Sequence, residues 1–417
     1  MEKFFVEKSP PLKGFVNIGG SKNSVLPVMA STLMSGETHI LNGIPDLSDV
    51  SVMFSILSEF GVTIDWDKGN SHMKINSKNI FNKEAPFDLV TKMRASFLIT
   101  GPLLSRFGHA KVPLPGGCQI GSRPVDLHLK GFLALGAKVS LEHGFVEVSA
   151  SRLAGSEIYL DFPSVGATEN IMMAAVLAEG ETKIQNCAVE PEIVDLANFL
   201  NACGANIEGE GTDTITIHGV KYLHPSQHKI IPDRIEAGTF MIASAITKGD
   251  IILKNAISEH LKPVIAKLKE MNCLIEEAEG GLRVSCVGIQ NCVDIKTMPY
   301  PGFPTDMQAP FMALLSVVKG SSVVTETVFE NRFMHVSELK RMGAEIKIDS
   351  RSAVIEGVDS LTGAKVRATD LRAGAGLILA ALVADGETEI SDIHHIIRGY
   401  YNFEDKLKSL GAKIRME

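Results

Sequence analysis

The sequence lacks the usual marks of metal-binding, membrane-spanning and nucleic-acid-binding proteins. Its six cysteines form no C-x-x-C pair, which argues against zinc and redox motifs. His394 and His395 are adjacent, and in an extended chain they would point to opposite sides without a third ligand, so no metal site is expected. No apolar run reaches the roughly 18 residues of a membrane span. The net charge of −8 disfavours a protein that coats nucleic acid.

The first residues also lack the pattern that a leader segment would show. MEKFFVEKSPPLKG contains no apolar core of the length that a signal peptide needs. We therefore expect a cytoplasmic protein whose thiols are reduced. Every cysteine except Cys118 lies in a helix or strand pattern, where we expect a small core residue.

An internal repeat runs through the 417 residues. The phrase LGAKV at Leu135 recurs, in varied form, at Phe60, Cys203, Met271, Met342 and Leu410. A second phrase, SGETHI in its first copy, recurs at intervals of roughly 70 residues. Its glycines are Gly36, Gly108, Gly180, Gly249, Gly320 and Gly386. The chain is therefore predicted to contain six similar units.

Each unit has the same predicted order of elements. A strand comes first, and the apolar helix after it is expected to be buried, because it has no polar face. A glycine turn, a strand and an amphipathic helix follow. The glycine after that helix is expected to form a left-handed cap before further strands. Three units in each of two lobes predict an α/β protein, with the domain boundary in the polar segment 220–231.

The segment before each apolar helix is the first place to look for a binding site. Helix N-termini carry unpaired N–H groups and partial positive charge, and they attract anions. Lys22, Arg94, Arg234 and Arg372 lie in four of these segments. We expect the six helix starts to face a cleft between the lobes and to bind phosphate and carboxylate groups there.

Other candidate residues leave alternatives open. Asp306 in GFPTDMQ is either a helix N-cap or a catalytic carboxylate. Arg332 and His335 in ENRFMH are candidates too, but they could simply form an exposed salt bridge. Arg398, which precedes a glycine, is a further candidate. Cys118 lies among glycines in PLPGGCQIGSRP, either as an incidental thiol or on a mobile lid.

The longer motifs point to one family. They include GSKNSVLP, LPGGCQIGSRPVDLH, SVGAT, IPDRIEAGTF, YPGFPTDMQAP, ENRFMHVSELKRMGA, TDLRAGAGLILAAL and HIIRGYYNFEDKL. With them, essentially the whole sequence resembles the UDP-N-acetylglucosamine 1-carboxyvinyltransferase family of enolpyruvyl transferases. The resemblance implies a two-lobed inside-out α/β barrel of six repeats. One lobe would span 22–229 and carry the Cys118 loop; the other would be discontinuous, 1–21 plus 230–417, and carry Asp306 and Arg398.

The resemblance also implies a reaction. The enolpyruvyl group of phosphoenolpyruvate would move to the 3′-hydroxyl of UDP-N-acetylglucosamine by addition and elimination, with release of phosphate. This is the committed step of peptidoglycan precursor synthesis. The implied partners are these two small molecules, without cofactor, metal, nucleic acid or membrane. An intact cysteine at this position implies sensitivity to fosfomycin, since members with aspartate there resist it.

Residue roles follow from the same resemblance. Cys118 matches the proton donor, which also forms a covalent adduct, and Asp306 matches the residue at the 3′-hydroxyl. The implied catalytic residues are Cys118, Asp306, Lys22 and Arg398. The implied phosphoenolpyruvate contacts are Lys22, Asn23, Arg94, Arg123, Arg332, Arg372 and Arg398. The implied contacts to the UDP-sugar are Asn23, Arg94, Arg123, Pro124, Val125, Asp126, Leu127, Ser164, Val165, Gly166, Asp306 and Val328.

Two departures from the family pattern and three rivals remain. Phe162 stands where many members have a lysine that contacts the nucleotide, and glycines in RAGAGL replace Ser or Ala and should loosen that helix start. The nearest rival, 5-enolpyruvylshikimate-3-phosphate synthase, lacks the PGGC loop. A non-catalytic binding paralogue would not need the full set of catalytic residues. An RNA-end cyclase would want a catalytic histidine and a basic surface.

Overall fold

The computed structural model describes residues 2–115, 124–288 and 290–417. Cys118 and Arg123, two of the predicted site residues, lie outside the described residues. The described residues form two compact units. We call residues 2–19 and 232–417 the terminal unit, and residues 20–115 and 124–231 the middle unit.

The terminal unit contains both ends of the described chain. Its strands are β1 (Phe4–Glu7), β2 (Lys13–Asn17), β14 (Asp250–Lys254), β15 (Leu274–Ala278), β16 (Gly281–Ser285), β17 (Ile295–Lys296), β18 (Ser321–Thr325), β19 (Glu345–Asp349), β20 (Ser352–Glu356), β21 (Lys365–Arg367), β22 (Glu387–Ser391) and β23 (Lys413–Met416). Its helices are α8 (Arg234–Ile246), α9 (Lys262–Glu270), α10 (Gln308–Leu315), α11 (Val336–Arg341), α12 (Leu371–Ala381), α13 (His394–Ile397) and α14 (Phe403–Ser409), with 3₁₀ turns at Ser258–Leu261 and Thr305–Met307.

The middle unit has the elements that lie between these in the sequence. Its strands are β3 (Thr38–Asn42), β4 (Thr63–Asp67), β5 (His72–Asn76), β6 (His109–Pro113), β7 (Lys138–Glu142), β8 (Phe145–Ser149), β9 (Glu157–Tyr159), β10 (Glu181–Gln185), β11 (Asn206–Glu208), β12 (Thr214–His218) and β13 (Gln227–Lys229). Its helices are α1 (Lys22–Ser31), α2 (Ser48–Glu59), α3 (Phe87–Val90), α4 (Thr100–Phe107), α5 (Asp126–Ala134), α6 (Val165–Ala175) and α7 (Pro191–Ala202), with 3₁₀ turns at Thr32–Met34 and Arg94–Ile99.

Most sheets in the described residues share one strand pattern. A strand pairs with a parallel edge strand on one side and with an antiparallel hairpin on the other, as in β13-β3-β5-β4 and β17-β18-β20-β19. In the three-stranded sheet β6-β8-β7, an isolated parallel bridge between Glu84 and Lys111 takes the place of the edge strand. β1 pairs with β22 and β23, so the first residues complete the sheet of the last ones.

The apolar helices are buried, as predicted from their lack of a polar face. Every residue of α8 after Arg234 is buried, as is every residue of α10. α12 packs against α10, and a Cβ at Gly376 would lie 2.9 Å from the carbonyl oxygen of Ala309. This glycine of RAGAGL therefore allows two helices to approach closely, which compensates for its weaker helix propensity.

The glycine caps are confirmed. In five copies of the LGAKV phrase the glycine has φ between 89° and 96°, and in the sixth copy an asparagine has φ 68°. These residues are Gly61, Gly136, Gly204, Gly343, Gly411 and Asn272. Left-handed backbone ends each helix and turns the chain into the next strand.

The structure corrects the expectation that all thiols are reduced. Cys273 and Cys286 form a disulfide. The pairing of β15 with β16 sets Leu274 opposite Ser285, so the flanking cysteines also face each other, with Cα atoms 4.4 Å apart. Cys187 and Cys203 are free and buried, as predicted for core residues, whereas the free Cys292 is only partly buried and lies outside the helices and strands.

One further expectation is wrong. His394 and His395 do not alternate along an extended chain; they begin α13, and their ring centroids lie 4.1 Å apart. In the segment 220–231, Gln227–Lys229 forms β13 in a sheet of the middle unit, and that unit ends at Ile231. None of the helices in the described residues is both long and apolar enough to cross a membrane.

Candidate functional site

In the terminal unit, one carboxylate lies between two buried arginines. Arg332 donates from Nη2 to Oδ1 of Asp306 over 2.8 Å, and Arg372 donates from Nε to Oδ2 over 3.1 Å. The side chains of Arg332 and Arg372 are only 4% and 3% exposed, whereas that of Asp306 is 27% exposed. Buried guanidinium groups require such a partner, because unpaired charge is costly away from water.

Three segments bring this cluster together. Asp306 lies in the 3₁₀ turn before α10, Arg332 in the turn before α11, and Arg372 in the first turn of α12. Asp306 is not a helix N-cap, since Pro304 occupies that position and the carboxylate faces the arginines. Nor is Arg332 part of an exposed salt bridge, because its partner Asp306 lies 26 residues away and the guanidinium is buried.

Arg372 also lies close to an aromatic ring. Its guanidinium carbon lies 5.2 Å from the centroid of the Tyr400 ring, whose hydroxyl pairs with that of Thr239 at 2.9 Å. Burial works against the charge, but Tyr400 and Asp306 outweigh it and raise the pKa of Arg372 above its ordinary value. Nη1 is buried and has no hydrogen-bond partner within the described residues. A buried cation with an unused donor suits an anionic ligand.

His335 lies close to this cluster but is not a cation. Burial lowers its pKa to about 4, although Asp370 works in the opposite direction, and Arg332 lowers it further. Both ring nitrogens are buried without a hydrogen-bond partner among the described residues. The imidazole is therefore neutral near pH 7, so His335 does not form the salt bridge that the sequence left open.

In the middle unit, the start of α1 is tied to two neighbouring helices. Lys22 is the first residue of α1, and its Nζ lies 3.2 Å from Oδ2 of Asp49 on α2. Ser24 donates to the buried Asp195 of α7, which His228 also contacts at 2.9 Å. Asp195 lies between the hydroxyl and the imidazole, so this is not a nucleophile–base arrangement. These contacts position the backbone at Lys22 and Asn23.

Asn170 on α6 joins three other candidate segments. Its Oδ1 accepts from the N–H of Gly101 over 2.7 Å, and its Nδ2 donates to the carbonyl of Phe97 over 3.0 Å and to Nδ1 of His128 over 3.1 Å. One buried amide therefore connects α6 with the 3₁₀ turn that begins at Arg94, with α4 and with α5.

The same amide determines which nitrogen of His128 carries the proton. Because Asn170 donates to Nδ1, the neutral ring is protonated on Nε2. Burial, and then the charge of Arg94, lower the pKa of His128 to about 3. A Cβ at Gly166 would lie 3.3 Å from Cε1 of His128, so the first turn of α6 rests against this ring.

The helix starts differ from the predicted set of six open anion sites. Asp233 caps α8 by accepting from the N–H groups of Ile235 and Glu236, and Asp370 caps α12 in the same way. Ser164 caps α6 through the N–H of Ala167. A carboxylate from the chain itself already satisfies the first turns of α8 and α12, so these two starts are not vacant anion sites.

Comparison with known proteins decides the family. A family model described as EPSP synthase (3-phosphoshikimate 1-carboxyvinyltransferase) matches residues 6–407. UDP-N-acetylglucosamine 1-carboxyvinyltransferase 1 of Caldanaerobacter subterraneus subsp. tengcongensis is 62% identical over 412 residues, which are 99% of each chain. The protein of that name from Staphylococcus epidermidis is 54% identical over 416 residues, again 99% of each chain. The chain belongs to the UDP-N-acetylglucosamine 1-carboxyvinyltransferase family.

Solved structures agree with this family at the level of the fold. The enolpyruvyl transferase NikO from Streptomyces tendae superposes with a TM-score of 0.90 at 26% identity, covering 100% of this chain and 98% of that one. EPSP synthase from Acinetobacter baumannii gives a TM-score of 0.78 at 19% identity, covering 100% and 99%. The chain is therefore a transferase with the mixed α/β fold of enolpyruvyl transferases.

The other predicted residues of this transferase lie at the ends of regular elements. Arg94 begins a 3₁₀ turn, Val328 follows β18 and Arg398 follows α13. Pro124 and Val125 precede α5, whose first residues are Asp126 and Leu127. Ser164, Val165 and Gly166 form the start of α6. Phe162 is exposed, and beside it Asp161 pairs with Lys130 at 2.7 Å.

Several residues of this site were missed by the sequence analysis. Asp49 and Tyr400 contact candidate residues, and Asn170 bonds to segments that carry candidate residues, but each lies far from its partner in sequence. Asp49 and Asn170 gave little signal, since single polar residues in helix patterns are common. Tyr400 and His128 lie in the motifs HIIRGYYNFEDKL and RPVDLH, which were quoted above without a role for either residue.

Replacing Asn170 by leucine should destabilise the transferase by about 3 kcal/mol, because three buried polar groups lose their partner. The matched control is Asn70→Leu, which removes one exposed side-chain hydrogen bond to Asp67 and should cost less than about 1 kcal/mol. Urea denaturation measures both free energies of unfolding. Equal values for the two variants would show that Asn170 does not join these helices.

Proposed function

We propose that this transferase moves the enolpyruvyl group of phosphoenolpyruvate to the 3′-hydroxyl of UDP-N-acetylglucosamine and releases phosphate by addition and elimination. The observation that carries the proposal is the carboxylate of Asp306 between two buried arginines. The reaction would be the committed step of peptidoglycan precursor synthesis in the cytoplasm. The partners would be these two small-molecule substrates, without cofactor, metal, nucleic acid or membrane.

The proposal includes the architecture implied by the resemblance. The fold would be a pair of inside-out α/β lobes built from six repeats, one lobe spanning 22–229 and the other 1–21 plus 230–417. The shared strand pattern of the sheets and the three buried helices in each unit support this arrangement.

The arginine cluster supplies charge for the donor. In this structure Asp306 is the acceptor for both Arg332 and Arg372. When phosphoenolpyruvate binds, its carboxylate would contact these guanidinium groups, which match carboxylates with paired N–H donors. Asp306 would then be released from part of its hydrogen bonding and would accept the proton of the 3′-hydroxyl as that oxygen attacks C2.

The remaining roles rest on the resemblance. Cys118 would protonate C3 of phosphoenolpyruvate while C2 becomes electrophilic, and it would also form the covalent adduct. Lys22, Arg123 and Arg398 would neutralise the phosphate as it becomes the leaving group. Arg94 and Asn23 would contact both substrates, where the anions of donor and acceptor meet.

The acceptor would bind through the segments that Asn170 joins and through the loop after β18. The run from Pro124 to Leu127 and the start of α6 at Ser164 would contact the UDP group. The N–H groups of that helix start and its partial positive charge favour phosphate. Val328 would contact the sugar near Asp306.

The proposal predicts a clear choice between acceptors. Phosphate should be released when the chain is mixed with phosphoenolpyruvate and UDP-N-acetylglucosamine, and not when shikimate 3-phosphate replaces the UDP-sugar. A continuous phosphate assay with each acceptor, and with neither, measures this. Release with shikimate 3-phosphate would contradict the acceptor assignment.

A second prediction concerns Cys118. Cys118→Ser should lose most turnover, because a hydroxyl is a far weaker acid than a thiol at this position. Cys118→Asp should retain turnover and lose sensitivity to fosfomycin, since a carboxylic acid donates a proton but a carboxylate opens the epoxide poorly. Phosphate release with and without fosfomycin measures both. Full activity of the serine variant would remove Cys118 from the mechanism.

A further inference from the structure

Glu326 is a buried carboxylate to which the proposed reaction assigns no role. It follows β18 and is 1% exposed. Its Oε1 accepts from the hydroxyl of Thr297 over 2.9 Å and from the N–H groups of Val328 and Phe329 over 2.8 and 3.1 Å. Its Oε2 accepts from the hydroxyl of Thr305 over 2.8 Å. The two oxygens therefore face two different parts of the terminal unit.

Through Oε2, Glu326 reaches the arginine cluster. A carboxylate can only accept, so Thr305 must donate its proton to Glu326 and turn its lone pairs elsewhere. Arg332 uses them: its Nη1 donates to Thr305 over 3.1 Å while its Nη2 donates to Asp306 over 2.8 Å. The Thr305 hydroxyl and Asp306 thus hold the Arg332 guanidinium together, one at each terminal nitrogen.

Through Oε1, the same side chain shapes the loop after β18. The N–H groups of Val328 and Phe329 both converge on this oxygen. Thr297, which donates to the same oxygen, also accepts from the N–H of Thr327 over 2.9 Å. The backbone of 327–329 is therefore positioned by Glu326 and Thr297 together.

We propose that Glu326 is a positioning residue that sets the Arg332–Asp306 pair with one oxygen and the backbone at Val328 with the other. The inference rests on the proposed function, which assigns Arg332 to the phosphoenolpyruvate carboxylate and Val328 to the UDP-sugar. Glu326 thereby couples the geometry of the donor contact to that of the acceptor contact, without touching either substrate.

The decisive variant is Glu326→Gln, which keeps the shape of the side chain. The amide oxygen remains with the two backbone N–H groups, because those can only donate, and the amide nitrogen faces Thr305. Thr305 then faces a donor on each side and loses the acceptor for its own proton, and the unpaired buried proton disturbs the contact with Arg332. We expect kcat/KM for phosphoenolpyruvate to fall at least about tenfold and the KM for UDP-N-acetylglucosamine to stay within about threefold.

Three threonine variants separate the two oxygens. Thr305→Val removes the hydroxyl at Oε2 and should reproduce the defect of Glu326→Gln, whereas Thr305→Ser keeps the hydroxyl and should stay within about threefold of the wild type. Combining Thr305→Val with Glu326→Gln should add no further loss, because both break one connection. Thr297→Val acts at Oε1 and should raise the KM for UDP-N-acetylglucosamine without the loss in phosphoenolpyruvate kinetics.

All variants are assayed by phosphate release beside the wild type, with thermal unfolding as the check on folding. If Glu326→Gln fails to fold, Thr305→Val carries the same test without changing a charge. If the wild type is active and the kinetics of Glu326→Gln or Thr305→Val are unchanged, the role of Glu326 is wrong but the proposed function stands. The same holds if Thr305→Ser and Thr305→Val lower kcat/KM for phosphoenolpyruvate equally. A wild type that releases no phosphate would overturn the proposed function, and this inference with it.

Discussion

The candidate site depends on two buried guanidinium groups that share one carboxylate. Arg332 and Arg372 are almost fully enclosed, and Asp306 supplies a single negative charge to both. Burying a cation costs several kcal/mol unless it is paired, so both arginines depend on this carboxylate and on other acidic groups nearby, such as Glu326, which Thr305 links to Arg332. Nη1 of Arg372 is a donor without a partner within the described residues, and an anionic substrate would supply an acceptor for it.

The surrounding fold stabilises this arrangement, because each charged side chain lies at or next to a regular element. Arg372 lies in the first turn of α12, whose cap Asp370 is part of the chain. Asp306 lies directly before α10, which packs against α12. Thr305 and Glu326 then connect Arg332 to the end of β18. In the middle unit Asn170 plays a comparable connecting role, because its one buried amide bonds to three helical segments.

Much of the secondary structure could be predicted because it follows local rules. A helix without a polar face must be buried, and a glycine after an amphipathic helix marks a left-handed cap; both hold throughout the described residues. The repeat made these predictions stronger, since each was made six times. The motifs also singled out Asp306, Arg332 and Arg372, which the structure brings into contact.

The contacts among those residues could not be predicted in the same way. Asp306 is 26 residues from Arg332 and 66 from Arg372, and no periodicity links such positions. For this reason the sequence left Asp306 open as an N-cap and Arg332 as an exposed ion pair. The disulfide of Cys273 and Cys286 depends on strand register, which the cysteine spacing alone does not reveal.

A crystal structure of the chain with UDP-N-acetylglucosamine bound would test the role of Asp306 most directly. We predict that the 3′-hydroxyl of the sugar lies within about 3 Å of a carboxylate oxygen of Asp306, at hydrogen-bond distance. A sugar bound elsewhere, with Asp306 still paired with Arg332 and Arg372, would contradict the role given to this carboxylate.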